Sequence, residues 1–155
     1  TIWGTRPGAD PTVVKDLAIR RGQAFQRTNI LRDFVEDFDS KPRRVYLPRE
    51  AFDAAGLTPE DLRRWTRASA CEKFIRDQAA RVRAEYEASK GLEALVDPAC
   101  APTLWAMAQI YSGILERIEE RPDRIVTSRV RLSSARKGWI ALRAALKGRS
   151  GNWTP

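Results

Sequence analysis

Gln26, Asn29, Asp33 and Asp37 recur at spacings of three and four residues in the stretch GQAFQRTNILRDFVED, residues 22–37. On a helix such residues lie over one another, so they define one polar face. Asp33 and Asp37 stand one turn apart, and both carboxylates can reach the same small volume. Two like charges so placed repel by about a few tenths of a kcal/mol when solvated, and by more when buried. A cation removes that cost. Oxygen donors alone (Asp33, Asp37, Asn29 and Gln26) suit a hard ion such as Mg²⁺, which keeps waters and is often shared with substrate phosphates. A lone D-x-x-x-D pair also occurs on solvated helix faces. Here Phe25, Ile30, Leu31 and Phe34 surround it with apolar positions.

The elements that must hold this face follow from local punctuation. Gly4, Pro7 and Gly8 make residues 1–10 a loop, and Asp10-Pro11 reads as a cap followed by a first-turn proline. A helix is predicted from Pro11 to Phe38, then a loop to Pro48. Pro48 opens a short helix to Ala55 that Gly56 stops, and Thr58-Pro59-Glu60-Asp61 starts another. A helix over 69–95 carries Ile75, Ala79, Val82, Tyr86 and Ser89 at helical spacing, with Gly91 a point of interruption. Asp97-Pro98 starts a helix to Arg121 with the stripe Leu104, Met107, Ala108, Tyr111, Leu115 and Ile118, ended by Pro122. Ser128 or Ser133-Ser134 caps a last helix ending near Gly148, and residues 149–155 form a tail. Ile125–Leu132 is the only short β-like run. The expected fold is all-α, one domain over residues 1–155, bundle-like.

Composition narrows the chemistry. The chain has 155 residues, no histidine and a net charge of +8. Without histidine, Ser-His-Asp and Cys-His catalysis and His-ligated zinc are excluded. Two cysteines, Cys71 and Cys100, cannot form a zinc site alone and are expected as free thiols of a cytoplasmic protein. The basic residues are dispersed and do not interleave with aromatics, which argues against nucleic acid; a phosphorylated small molecule is the better use of the charge. No run of about 20 apolar residues suggests a membrane span, and no signal peptide is expected at the start, which lacks an initiator Met.

Gln26, Thr28, Asn29, Ile30, Leu31, Arg32, Asp33, Glu36 and Asp37 together resemble the second aspartate-rich motif of the squalene and phytoene synthase family, close to Q-x-T-N-I-L-R-D-x-x-E-D. Arg43-Arg44-Val45-Tyr46-Leu47-Pro48 resembles the family's G-R-x-Y-L-P segment, with Arg43 where glycine is usual. The resemblance implies the C-terminal half of an all-α class I isoprenoid synthase bundle with a central cavity. It implies Mg²⁺ on Asp33, Asp37 and Asn29, assisting departure of an allylic diphosphate. Gln26 would extend this polar stripe, and Glu36 would be a surface or outlying carboxylate. Arg32 and Arg44 would bind diphosphate through guanidinium forks, while Lys41 and Arg43 belong to a solvated loop. Tyr46 stands where the family's loop tyrosine sits. Tyr111 is either a core aromatic or the family's cavity-facing tyrosine. Arg129 resembles the basic residue near the start of the family's last helix, and Leu104, Met107 and Ala108 either line a prenyl tunnel or form plain core.

The resemblance runs from about Ile2 to about Arg149 and covers only the family's C-terminal half; no second carboxylate pair stands on an apolar-flanked helix. The missing half implies that the carboxylates face water, that a large apolar patch is exposed, and that either a fragment or a split enzyme with a second polypeptide is at hand. The implied reaction is head-to-head condensation of two prenyl diphosphates. Participation of NADPH and the product chain length stay open. A terpene cyclase or another prenyltransferase on this scaffold, or a non-catalytic assembly subunit, are the alternatives. Peripheral membrane contact is compatible with oily products, though no amphipathic anchor is evident.

Overall fold

A computed structural model describes residues 4–150; the first three positions and residues 151–155 of the expected tail lie outside the described residues, while Arg149 and Ser150 of that tail are helical instead. The helices are α1 (Pro11–Arg32), α2 (Phe34–Phe38), α3 (Arg49–Ala55), α4 (Pro59–Arg64), α5 (Ala68–Ala88), α6 (Leu92–Leu95), α7 (Ala101–Glu120) and α8 (Ser134–Ser150), with a 3₁₀ turn at Pro122–Val126. Among the described residues there is no strand, only a single antiparallel bridge between Thr5 and Val96. The fold is all-α.

Most boundaries follow the expected signals. The Asp10 carboxylate accepts from Thr12 N at 2.8 Å, with Pro11 in the first turn. Thr58 and Asp61 form a reciprocal capping box at the start of α4. Gly56 (φ 61°) stops α3 and Gly91 (φ 88°) separates α5 from α6, both in the left-handed region open to glycine. Ser133, not Ser128, caps α8: its hydroxyl accepts from Arg136 N at 3.2 Å. Two expectations are corrected. The helix from Pro11 breaks at Asp33, where ψ is 8°. The helix expected from Asp97 begins at Ala101, because Asp97–Cys100 closes into a turn in which Asp97 Oδ1 accepts from Ala99 N and Asp97 O from Cys100 N. The β-like run Ile125–Leu132 is instead the end of the 3₁₀ turn and an irregular segment. Its Ile125, Val126, Val130 and Leu132 are buried in the core.

Helices α1, α5 and α7 pack on one another and α8 lies on α7. Residues three and four apart on α5 (Cys71, Phe74, Ile75, Ala79, Val82, Tyr86) supply one buried face. With Leu31, Leu115, Ile118 and Ile125 they form the main core. Each large aliphatic side chain fully buried there contributes about 1.5–3 kcal/mol. A second cluster of Val14, Leu92, Val96, Ala101 and Leu104 closes the other end, and Phe25 and Trp105 touch both. Cys71 is a buried free thiol and Cys100 is half-buried and free. Two glycines allow close packing on α7: a Cβ on Gly113 would stand 3.2 Å from Leu132 Cδ1 in the segment before α8, and one on Gly148 of α8 would stand 2.9 Å from Pro102 Cγ of α7. Among the described residues the exposed large apolar side chains are Val13 and Ile19 on α1, Val45 and Tyr46 in a loop, and Trp139, Leu142 and Leu146 on α8.

One buried polar tie fastens α1 to the α5–α6 corner. Arg21 donates to Glu93 Oε1 at 2.5 Å, to Ser89 Oγ at 2.9 Å and to Ser89 O at 2.9 Å. Removing one partner leaves a buried charge unpaired, so Arg21→Met should cost about 3–5 kcal/mol in urea unfolding, and adding Glu93→Leu should recover most of it. An Arg21→Met variant as stable as the parent would show that the tie contributes nothing.

Candidate active site

Asp33 sits at the joint between α1 and α2. Consecutive residues on a regular helix point about 100° apart and do not meet. The departure of Asp33 from helical dihedrals lets its own neighbour reach it: Arg32 Nε donates to Asp33 Oδ1 and Arg32 Nη2 to Asp33 Oδ2, both at 2.7 Å. Arg129, in the segment before α8, makes a second fork, with Nε at 2.9 Å from Oδ1 and Nη2 at 3.3 Å from Oδ2. Its Nη1 lies 3.4 Å from Glu36 Oε2. The expectation that Asp33 would face water is therefore corrected: its side chain is 20% exposed and held by two guanidinium groups.

Asp37 is poised differently. Burial pushes its carboxyl above the usual carboxylate range, and the Asp33 and Glu36 charges push it the same way, with Arg44 and Arg129 opposing. The loop folds back here: Arg44 N and Ser40 Oγ donate to Asp37 O at 3.0 and 2.6 Å. Arg44 is thus carried to Asp37. Arg43 instead lies over the Phe38 ring and pairs with Glu60. One turn before Asp33, Asn29 Oδ1 is buried with no hydrogen-bond partner among the described residues. A raised carboxyl and an orphaned amide oxygen on one face are a donor set that fits a hard divalent cation. The described residues contain no group of three or more acidic, His or Cys side chains able to hold a metal. These donors would need further oxygens from elsewhere to hold Mg²⁺.

Tyr111 joins this polar end to an apolar cleft. It adds to the surroundings that favour the charged Arg32 guanidinium, and its ring lies 4.7 Å from that of Phe25. Phe25 in turn lines a cleft of about 270 Å³ with Val14, Ala18, Gly22, Leu104 and Met107. Leu104 and Met107 line this cleft, and Leu104 is also part of the second core cluster. Ala108 does not line it, because it lies one step round α7 and faces a different cleft beside Arg21, Tyr86 and Trp105. Phe25, Gly22 and Ala18 were not singled out as lining residues, although they continue the three-to-four spacing upstream of Asn29. Tyr46 is 54% exposed and lines a separate cleft with Arg27, Ile30 and Arg81, so it is not brought to the carboxylates. Gln26 keeps its place on the same face, exposed.

An all-α scaffold with paired carboxylates, convergent arginines and an adjoining apolar cleft defines an isoprenoid-synthase type of protein. Residues 2–136 match the squalene/phytoene synthase family model, and the chain belongs to that family. The match stops short of most of α8, which the resemblance had included. The chain is 35% identical over 139 residues to the chloroplastic phytoene synthase of an Oncidium hybrid cultivar, covering 88% of this chain and 33% of that one. Phytoene synthase 2 of rice is 38% identical over 139 residues, with 88% and 34% covered. Phytoene synthase 1 of tomato is 34% identical over 139 residues, with 88% and 33% covered. The chain spans about a third of the length of these relatives, where half had been expected.

Because the Asp33 charge helps raise Asp37, Asp33→Asn should lower the midpoint of Asp37 titration, followed by carboxyl NMR. An unchanged midpoint would separate the two groups electrostatically.

Proposed function

We propose that this chain forms one wall of a Mg²⁺-dependent prenyltransferase that joins two prenyl diphosphates head to head, as the phytoene synthases it resembles are named for. The observation that supports this best is that Phe25 lines the apolar cleft and lies against Tyr111, while Arg32 on the same helix pairs with Asp33. An apolar chain has a place to lie, and a charged head group meets cations and oxygen donors at its end.

Asp33, Asp37 and Asn29 would hold the metal, which when bound supplies charge neutralisation for a departing diphosphate. The rest falls to this chain's side chains. Arg32, Arg44 and Arg129 offer guanidinium forks to phosphate oxygens. Arg129 is shared between Asp33 and Glu36, so it can exchange a carboxylate for a phosphate partner. Tyr111 lies against Phe25, where its ring face would stabilise developing positive charge. Phe25, Leu104 and Met107 exclude water from the hydrocarbon. Gln26 borders the face, and Tyr46 stands in its own cleft.

The carboxylates number too few for a complete metal site, and the cleft is open. The opposite wall would come from sequence outside this chain, in the same protein or in a partner polypeptide. A non-catalytic assembly role is disfavoured because both aspartates and the arginines that hold Asp33 are in place.

In the full-length protein, Asp33→Asn and Asp37→Asn should each lower Mg²⁺-dependent coupling of farnesyl or geranylgeranyl diphosphate by at least about 100-fold. Product analysis with the two substrates separates a head-to-head synthase from a cyclase. Coupling within about threefold of the parent in both variants would end the catalytic reading.

A further inference from the structure

Two clefts of the molecule meet at one side chain. The first is the apolar cleft of Phe25, Gly22, Leu104 and Met107. The second, of about 230 Å³, is lined by the buried Tyr86 and Ala108 and the half-buried Trp105, with the exposed Glu87, Lys90 and Gln109 toward solvent. Neighbouring residues of one helix are divided between them. On α7, Leu104 and Met107 face the first cleft and Trp105 and Ala108 the second; on α6, Leu92 faces the first and Glu93 the second. Among the described residues Arg21 alone lines both. It is 5% exposed, so it stands as a partition between the clefts and not at either mouth.

We propose that the tie of Arg21 to Glu93 and Ser89 is the specificity-determining wall of the apolar cleft, keeping a prenyl chain on the Phe25 side and barring a longer one from the Trp105 side. This rests on the prenyltransferase reading above and adds to it the residues that limit chain length. Three nitrogens of one guanidinium hold the wall: Nε and Nη2 donate to the hydroxyl and the carbonyl of Ser89, and Nη1 donates to Glu93. Stability alone does not account for this choice, because a buried ion pair is often replaced by packed apolar side chains without loss. What the charges add is resistance to hydrocarbon. An apolar wall yields to a prenyl chain, since one apolar contact exchanges for another. A guanidinium–carboxylate wall does not yield, because the chain offers no hydrogen bond in return and would leave two buried charges unpaired. The position suits selection by length. Arg21 precedes Asp33 by twelve residues, about 18 Å along a helix at 1.5 Å per residue. The tail of a chain whose head group lies at Asp33 reaches such a wall, and the reacting carbon does not.

The test uses Arg21→Met/Glu93→Leu in the full-length protein, the pair expected above to keep most of the parent's stability. The ratio of kcat/KM for geranylgeranyl over farnesyl diphosphate should rise by about tenfold or more, while Lys90→Ala, at the solvent side of the second cleft, should stay within about threefold of the parent. Binding of geranylgeranyl thiodiphosphate, which does not react, should change Trp105 fluorescence in the double variant and not in the parent, and the change should vanish when Trp105→Phe is added. A folded double variant with the parent's ratio and no Trp105 response would overturn the inference and leave the catalytic reading standing. A parent whose Trp105 already responds would overturn it too, because the chain would then pass the wall. A parent that couples neither substrate would end the prenyltransferase reading, and the thiodiphosphate would still decide whether the wall bars the chain.

Discussion

Asp33 carries one negative charge and receives a guanidinium fork from each of two arginines, Arg32 from its own helix and Arg129 from far along the chain. That interaction ties the end of α1 to the segment leading into α8. It depends on a local fault, the non-helical ψ of Asp33, without which an adjacent arginine could not reach back. The surplus positive charge around Asp33 is why one carboxylate of the motif stays neutralised in the absence of any ion. Its neighbour Asp37 carries the electrostatic cost, and its carboxyl rises above the ordinary range.

The two carboxylates are therefore not equivalent. Asp33 is satisfied by protein and Asp37 is not, and the buried Asn29 oxygen beside them is likewise unmatched. Asp37 and Asn29 would offer oxygens to a cation directly, whereas Asp33 would do so only in competition with Arg32 and Arg129.

Much of this was readable from the residues because it is local. Asp10-Pro11, Gly56, Thr58 with Asp61, Gly91 and Pro122 act within a turn or two of themselves, and each ends or starts an element where expected. The polar face of Asn29, Asp33 and Asp37 needed only helical periodicity, and the family was legible in nine residues at fixed spacing. What escaped acts at a distance. The Arg21–Glu93 tie joins residues 72 apart, and Arg129 meets Asp33 across 96; no spacing rule connects them. The break at Asp33 escaped because apolar periodicity runs through it unchanged. Tyr46 was placed by likeness of motif, and the loop that carries it turns toward Arg27 and Arg81 instead of the carboxylates.

The close approaches at Gly113 and Gly148 have their own consequence. Gly113 on α7 admits Leu132 just ahead of α8, and Gly148 near the end of α8 admits Pro102 of α7, so the helix is held against α7 at its approach and at its far end. The attitude of α8 therefore fixes the attitude of the entire body in three dimensions, including the compass direction in which the Phe25 cleft opens. A single orientation-sensitive label on α8 would report the bearing of that mouth.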